Sequence, residues 1–329
     1  MEKIALLLNK GCRDMVLNQK AYDYFASLGE VSVNEGGTDK ESIIKTIEGA
    51  TIAVTSWGNE AIDEEVLAHC PDLKFVAHAA GSVKPIVSDA LWDKGVRVLS
   101  SACPLGEGVA ETALGFTLSA SKNFYALNTS VKNGGWEQGK ENITELFDIK
   151  IGVIGGGWAG KHYIKLLRNF YVDVLLYDPF ISAEAAKALG AEKVELETLL
   201  KEADIVSIHA PSIPSTYHMI NADSLKLMKK DAVLINTARG TIIDEAALYE
   251  HMKNGGLKYA CIDVFDPEPP AKDNPLLTLD NVIVTPHLAG LARNGLKRIG
   301  TFVCEELTHF LNGETVRGEV TREMLARMA

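Results

Sequence analysis

The sequence has few cysteines, and their arrangement argues against a cross-linked or metal-bound protein. The five cysteines are Cys12, Cys70, Cys103, Cys261 and Cys304. They are odd in number, widely scattered and without a CxxC pair, so we expect neither a disulfide framework nor a metal site. This use of cysteine fits a reducing compartment, and we predict a cytoplasmic protein.

The chain also lacks long hydrophobic runs and an excess of positive charge. No stretch approaches the roughly 20 apolar residues that cross a bilayer, and the apolar run after Lys3 is too short for a signal peptide. Acidic residues outnumber basic residues by 44 to 33, which gives a net charge of −11. A field of that sign repels phosphate backbones and anionic lipids, so we expect neither a nucleic acid nor a membrane as partner.

The chain does contain enough apolar material for two hydrophobic cores. Its 329 residues exceed what one core usually serves, and 47% of them are apolar. Short runs rich in Val, Ile and Leu alternate with helical patterns along nearly the whole chain, which is typical of parallel sheets covered by helices. The predicted fold class is α/β, with two Rossmann-like, doubly wound parallel-sheet domains and a cleft between them.

Two series of strand patterns correspond to the two predicted sheets. The first series lies near residues 3–8, 30–35, 50–56, 74–80 and 96–101. The second lies near 151–154, 172–178, 204–210, 232–238, 257–264 and 282–288. Helical patterns include 14–28, 60–69, an uninterrupted long segment at 107–132, and 291–311.

A glycine-rich motif follows the first strand of the second series and precedes a helical pattern. Its first glycine permits a tight turn, its second lets the backbone approach a pyrophosphate, and its third lets the helix pack closely against the strand. The helix N-terminus faces the negative charge. A glycine-rich turn without a ligand is the alternative, but the order of strand, glycines and helix favours a dinucleotide. We assign Gly155, Gly157, Trp158, Ala159 and Gly160 to cofactor binding.

An acidic residue, Asp178, ends the next predicted strand, eighteen positions after Gly160. A carboxylate at this place accepts hydrogen bonds from the adenosine ribose hydroxyls and repels a 2′-phosphate. We therefore predict NAD, rather than NADP, as the cofactor.

Three later strand patterns are followed by ionisable residues, Arg239, Glu268 and His287. Taken singly, each has a more ordinary explanation: a surface ion pair, a solvated loop acid and a hydrogen-bonded core histidine. Ligands of open α/β sheets gather at the carboxyl ends of the strands, where all three residues are expected. Their coincidence after a dinucleotide motif therefore predicts a catalytic site.

Taken together, these motifs resemble the D-isomer-specific 2-hydroxyacid dehydrogenases, which include phosphoglycerate dehydrogenases and glyoxylate or hydroxypyruvate reductases. The resemblance is carried by the glycine motif with Asp178, by His209-Ala210-Pro211, by Ile235-Asn236-Thr237-Ala238-Arg239-Gly240, by Asp263-Val264-Phe265 with Glu268-Pro269, and by Thr285-Pro286-His287. It implies an NAD-dependent oxidoreductase that interconverts a small 2-keto acid and the corresponding D-2-hydroxy acid. It also implies a substrate-binding domain of residues 1–102, completed by 291–329, and an NAD-binding Rossmann domain of residues 103–290.

The resemblance further implies a role for each ionisable residue. Arg239 would bind the substrate carboxylate and polarise the keto oxygen, His287 would be the acid/base, and Glu268 would partner the histidine. A carboxylate beside an imidazole stabilises the protonated ring, which can then give a proton to the oxygen.

Additional cofactor contacts are implied by the resemblance. Asp263 and the backbone near Thr237 and Ala238 would hold the nicotinamide amide, while Ala210 and Pro211 would line the adenine side. For the last two residues, a strand that simply ends at a turn is nearly as good an explanation.

The loop after the fourth strand departs from the family pattern. In the family, backbone amides of a glycine-rich segment bind the substrate carboxylate, which here implies Gly81 and Ser82 in the sequence AAGSVKP. The Asp-Asn pair common in the family is absent, and Lys84 adds a cation that is more often a solvated turn residue. The sequence therefore leaves the identity of the 2-keto acid open.

The resemblance also implies a homodimer, in which the region near residues 104–140 packs across a two-fold axis. Two other functions are compatible with the same scaffold: a formate- or phosphite-type dehydrogenase, and an NAD-sensing scaffold similar to the related transcriptional corepressors. Retention of Arg239, Glu268 and His287 favours turnover, since a sensor needs no acid/base pair.

Overall fold

The computed structural model describes residues 1–328. The strands are β1 (Glu2–Leu6), β2 (Gly29–Val33), β3 (Ile52–Thr55), β4 (Phe75–His78), β5 (Arg97–Ser100), β6 (Phe147–Ile154), β7 (Tyr171–Tyr177), β8 (Glu192–Lys193), β9 (Ile205–Ile208), β10 (Val233–Asn236), β11 (Tyr259–Ile262), β12 (Val282–Val284) and β13 (Glu319–Val320). The helices are α1 (Lys10–Val16), α2 (Gln19–Leu28), α3 (Lys40–Ile47), α4 (Glu64–Ala68), α5 (Asp89–Asp93), α6 (Ala102–Ser121), α7 (Phe124–Lys132), α8 (Trp158–Leu167), α9 (Ala183–Leu189), α10 (Leu196–Glu202), α11 (Ala222–Leu225), α12 (Glu245–Lys253) and α13 (Lys297–Leu311).

The chain forms two compact units. Unit 1 contains Met1–Leu105 together with the residues from Leu291 onward, and unit 2 contains Gly106–Gly290. Each unit is built around its own sheet, with the strand order β13-β5-β4-β3-β1-β2 in unit 1 and β12-β11-β10-β9-β6-β7-β8 in unit 2. All pairings are parallel except that of β13 with β5. The predicted α/β class with two parallel-sheet domains is confirmed.

Both faces of the unit 1 sheet are buried. Alternate residues of β1 point to opposite faces, so that Ile4 and Leu6 join one core cluster while Ala5 joins the other. The first cluster includes Phe25 of α2, and α13 packs on the same side. Burial on two faces explains why the strands are nearly continuous in apolar residues.

The unit 2 sheet reverses its strand order between β6 and β9. From β6 the chain adds β7 and β8 on one side, and it then returns to add β9 to β12 on the other. Ligands of such sheets bind outside the carboxyl ends of the strands at this reversal. The turn that follows β6 carries the glycine motif, so the fold puts that motif at the expected ligand-binding edge.

The prediction of one long helix over 107–132 is wrong, because the structure has two helices there, α6 and α7. Between them, Asn123 has a left-handed backbone with φ of 57°. Its side-chain oxygen accepts a hydrogen bond from the Tyr259 hydroxyl at 2.8 Å, and its amide donates to the Gly139 carbonyl at 3.0 Å. Asparagine tolerates this conformation better than most residues, and these contacts from distant parts of the chain hold the break.

Three other elements begin or end at residues that differ from the prediction. The segment at 14–28 divides into α1 and α2, because Asn18 caps α2 by accepting a hydrogen bond from the Ala21 amide. The helix predicted from 291 begins only at Lys297. The strand predicted over 282–288 ends at Val284, since Pro286 has no amide hydrogen and His287 has a φ of 49°.

Candidate functional site

In the turn between β6 and α8, two glycines have no room for a side chain. Gly155 has a φ of 96°, and a Cβ at this position would lie 2.7 Å from the Ala210 amide nitrogen. A Cβ at Gly160 would collide with the carbonyl oxygen of Gly155. A side chain at either position would therefore force the turn away from β9 or push α8 away from β6.

The surroundings of Gly157 are open, unlike those of Gly155 and Gly160. Among the described residues, no heavy atom lies within 4 Å of a Cβ built on Gly157, beyond its own chain neighbours. This glycine is the N-cap of α8, a ten-residue helix whose first turn begins with the exposed Trp158 and contains no acidic residue. The open space and the uncompensated amide groups at this helix start suit an anionic group such as a pyrophosphate.

Asp178 is tied to the same turn. Its Oδ2 accepts a hydrogen bond from the Gly156 amide at 2.7 Å, and its Oδ1 accepts one from the Phe180 amide at 2.8 Å. A carboxylate has about four acceptor positions, so both oxygens retain capacity for ribose hydroxyls. The carboxylate is thus held in one orientation at the end of β7.

Two buried polar atoms at neighbouring strand ends have no hydrogen-bond partner within residues 1–328: Nδ1 of His209 and Oγ1 of Thr237. His209 follows β9, and its Nε2 lies 2.9 Å from the Ser207 hydroxyl. Burial lowers the pKa of His209 to about 3, so the ring is neutral. Buried polar atoms are normally paired, and two unpaired ones at this edge fit a site that takes a polar ligand such as NAD.

The backbone of Ala210 is part of the wall against which Gly155 packs. The Pro211 carbonyl accepts a hydrogen bond from the Thr216 hydroxyl at 2.6 Å, as in an ordinary turn. These contacts agree with both explanations of the two residues, a strand ending at a turn and a wall of the cofactor site.

The residues after β10 form a turn that presents Arg239. The Asn236 side chain accepts a hydrogen bond from the Ala238 amide at 3.0 Å and donates to the Arg239 carbonyl at 2.9 Å. The Arg239 Nη1 donates to the Ala238 carbonyl at 2.6 Å. Burial lowers the pKa of Arg239, and the negative charge of Glu268 opposes that shift. A guanidinium stays charged in proteins, so this edge has a half-buried cation with donors left for an anion.

His287 and Glu268 form a direct pair. The His287 Nδ1 lies 2.6 Å from the Glu268 Oε2, and the other carboxylate oxygen accepts a hydrogen bond from the Phe265 amide at 3.1 Å. The side chains remain 49% and 37% exposed, respectively. Because Nδ1 is bound to the carboxylate, Nε2 is the ring nitrogen available for proton transfer.

Asp263 organises the loop that carries His287. Its buried carboxylate accepts hydrogen bonds from the Thr285 hydroxyl at 2.5 Å and from the amides of Leu288 and Ala289, both at 2.9 Å. The Asp263 carbonyl accepts a further bond from the His287 amide at 2.8 Å. This network fixes the backbone on both sides of His287, a role that the sequence did not suggest. The sequence feature that could have indicated this role is the presence of two polar residues, Asp263 and Thr285, directly after adjacent strands.

Unit 2 therefore brings Arg239, Glu268 and His287 to the carboxyl edge of one sheet, together with the glycine motif and Asp178. The other two predicted substrate-binding residues, Gly81 and Ser82, belong to unit 1. They are half-buried in the loop after β4, between the buried residues Ala80 and Val83, and Lys84 next to them is exposed. In the part of the chain that the structure describes, no helix is long and apolar enough to span a membrane.

Comparison with known proteins gives matches over most of the chain. Residues 114–289 match the family described as D-isomer specific 2-hydroxyacid dehydrogenase, NAD binding domain. The D-3-phosphoglycerate dehydrogenase of Methanocaldococcus jannaschii is 37% identical over 305 residues, which are 92% of this chain and 58% of the relative. The glyoxylate reductase of Korarchaeum cryptofilum is 32% identical over 296 residues, 89% of each protein.

Solved structures show the same fold. The D-lactate dehydrogenase with NAD+ from Lactobacillus jensenii has a TM-score of 0.79 and 24% identity, over 97% of this chain and 100% of that chain. The chain spans only a little over half the length of the phosphoglycerate dehydrogenases that it matches. The matched residues 114–289 lie within unit 2, and the NAD-binding family that they match confirms the prediction of NAD as the cofactor.

Proposed function

Because the chain belongs to the D-isomer specific 2-hydroxyacid dehydrogenase family, we propose that it interconverts a small 2-keto acid and the corresponding D-2-hydroxy acid with NAD. The observation that carries this proposal is the 2.6 Å pair of His287 and Glu268, at the sheet edge that also presents Arg239. An acid/base pair at the same sheet edge as a half-buried cation matches what reduction of a keto acid requires: a proton for the oxygen and a counter-charge for the carboxylate.

His287 holds and moves the proton. In the direction of reduction, the protonated ring gives its Nε2 proton to the keto oxygen, which becomes the hydroxyl. Glu268 stabilises the imidazolium before the transfer and keeps the ring oriented afterwards. In the direction of oxidation, the neutral ring takes the same proton back.

Arg239 binds the substrate carboxylate and polarises the keto oxygen. One of its terminal nitrogens is held by the Ala238 carbonyl, and the remaining N–H groups form a planar fork that matches a carboxylate. In unit 1, the loop that contains Gly81 and Ser82 provides backbone amides that bind a substrate carboxylate.

The cofactor is held by residues at the edge of unit 2. The start of α8 binds the pyrophosphate, and Asp178 binds the adenosine ribose. The nicotinamide amide is bound at the strand ends, by Thr237, Ala238 and Asp263. Ala210 and Pro211 line the adenine side. When bound, NADH supplies a hydride to C2 of the keto acid and NAD+ accepts it in the reverse reaction. The unpaired Thr237 hydroxyl supports this assignment.

The protein also forms a homodimer through the region near residues 104–140. Among the described residues of α7, none is buried, although the helix carries apolar side chains. Phe124 is 57% exposed, and Trp136 beyond the helix is 69% exposed. Exposed large apolar side chains along one segment are a feature of surfaces that a partner covers. Sedimentation at several concentrations tests this, and Phe124→Glu should shift the protein towards a monomer.

The catalytic assignment is tested with NADH and a panel of keto acids that includes glyoxylate, hydroxypyruvate and 3-phosphohydroxypyruvate. We expect turnover of at least one acid, and we expect His287→Ala to lower kcat by about 10²- to 10⁴-fold while NADH still binds. Formate and phosphite with NAD+ serve as competing substrates. Turnover of either of these alone, or of nothing in the panel, would overturn the proposal.

A surface pair in unit 1 provides the matched control. The His69 Nδ1 lies 2.8 Å from the Glu48 Oε2, in the same arrangement as His287 and Glu268, but neither residue belongs to the proposed site. His69→Ala should leave kcat unchanged. An equal loss in both variants would show that the His287 effect is not catalytic.

A further inference from the structure

The loop after β4 is held by its carbonyl oxygens. The carbonyl of Gly81 accepts a hydrogen bond from the Ser100 hydroxyl at 2.5 Å. The backbone of the next residue, Ser82, forms a hydrogen bond with the imidazole of His78. The Ala79 carbonyl accepts a bond from the Ser56 hydroxyl at 3.0 Å. Side chains from the ends of three different strands therefore hold three residues of one loop.

The buried imidazole of His78 contacts both Thr55 and Ser82. The ring is 2% exposed, and its Nδ1 lies 2.9 Å from the Thr55 hydroxyl. The contact with Ser82 favours the protonated ring, which identifies the Ser82 carbonyl as the acceptor and a ring N–H as the donor. Burial keeps the ring neutral, so only one nitrogen has a hydrogen; we assign that hydrogen to the bond with the Ser82 carbonyl, which leaves Nδ1 to accept from the Thr55 hydroxyl.

These two contacts set the peptide planes on both sides of Ser82. In a trans peptide, the carbonyl oxygen of one residue and the N–H of the next lie in one plane and point in opposite directions. Ser100 holds the Gly81 carbonyl, so the Ser82 N–H points away from Ser100. His78 holds the Ser82 carbonyl, so the Val83 N–H points away from His78. Neighbouring amides oriented in this way can bind an anion.

We propose that Ser100 and His78 are positioning residues for substrate binding, since they fix the two peptide planes on either side of Ser82, one of which carries the Ser82 amide that binds the substrate carboxylate. This inference rests on the proposed function, which assigns Gly81 and Ser82 to that carboxylate. Neither side chain touches the substrate. Without the hydroxyl or the imidazole, the loop samples other orientations, and binding of the keto acid weakens while the cofactor unit is unaffected.

The test compares Ser100→Ala, His78→Leu and the conservative His78→Gln in the full-length protein, with the keto acid that the wild-type protein reduces. We expect Ser100→Ala and His78→Leu each to raise the KM of the keto acid about tenfold, because each frees one carbonyl of the loop. The dissociation constant of NADH and kcat at saturating keto acid should change little. His78→Gln, which can donate to Ser82 and accept from Thr55, should recover most of the lost affinity.

Ser101→Ala is the matched control, since the neighbouring hydroxyl is also buried but donates to the His78 carbonyl within β4 at 2.9 Å. Its KM should remain that of the wild-type protein. An unchanged KM in both Ser100→Ala and His78→Leu, or an equal rise in Ser101→Ala, would overturn this inference alone. If the wild-type protein reduced no keto acid, the proposed function would fail with it. Ser100→Ala removes a single oxygen and keeps the test valid if His78→Leu does not fold.

Discussion

The carboxyl edges of the two sheets are built from different chemistry. In unit 2 the strand ends carry charged groups, and Asp263 and Glu268 act as acceptors that hold amides or an imidazole. In unit 1 they carry neutral groups, and Ser100 and His78 act as donors that hold carbonyls. The first edge presents a cation and an acid/base pair, while the second presents oriented backbone amides. In the proposed function, the charged groups of unit 2 serve the chemistry, and the neutral hydrogen bonds of unit 1 shape a binding loop.

The largest effect that would separate the two edges is expected at Arg239. Arg239→Gln should lower kcat/KM for the keto acid by about two to three orders of magnitude, since it leaves a substrate carboxylate without its charged partner. Steady-state kinetics measures this, with the exposed Arg168→Gln as control. A loss smaller than that of Ser100→Ala would mean that the neutral edge, and not the charged one, dominates carboxylate binding.

A smaller effect is expected at Asp263, on stability. Asp263→Asn replaces one acceptor oxygen by an NH2 group that faces amide donors, and it should lower the free energy of unfolding by about 1–3 kcal/mol. Urea unfolding measures the change, and the exposed Asp266→Asn provides the control. An unchanged midpoint would show that the charge of Asp263 is not needed to hold the His287 loop.

The two buried histidines allow a comparison through pH. Burial lowers the pKa of His78 to about 4 and that of His209 to about 3, below the ordinary value of 6.5. Below pH 6.5 the unfolded chain therefore binds protons that the folded chain does not, and stability falls as the pH decreases towards these values. Each histidine contributes a slope of up to about 1.4 kcal/mol per pH unit.

This slope is measured by urea unfolding between pH 7 and pH 5. His209→Phe should flatten the pH dependence of unit 2, and His78→Leu that of unit 1, whatever each substitution does to stability at pH 7. The same slope in the wild-type and variant proteins would mean that each ring binds as many protons in the folded state as in the unfolded state, so that burial does not lower its pKa.

The smallest effect is expected on cofactor choice. Asp178→Asn keeps an oxygen that can accept from the Gly156 amide but removes the charge that repels a 2′-phosphate. The ratio of kcat/KM with NAD to kcat/KM with NADP should fall roughly fivefold, which corresponds to about 1 kcal/mol. Kinetics with both cofactors tests this against Asp173→Asn, an exposed change on the same strand. An unaltered ratio would place the discrimination elsewhere.

Much of unit 2 could be predicted because its signals are local. The glycine motif, Asp178 and the charged strand ends each lie within a few residues of a buried strand, and the family they suggested was confirmed. The helix boundaries were less predictable. Nothing near Asn123 in the sequence indicates that Tyr259 will bind its side chain and interrupt a helical pattern.

The sequence alone determined the α/β class, the order of the motifs and the residues available for chemistry, because hydrophobic periodicity and glycine spacing act over short distances along the chain. Only the tertiary structure decided that Asp263 organises the His287 loop and that Ser100 and His78 hold the loop containing Ser82. The contacts of Asp263 and Ser100 join residues that are 19 to 26 positions apart in sequence, and ordinary Asp and Ser residues acquire such roles only when a parallel sheet aligns the ends of neighbouring strands.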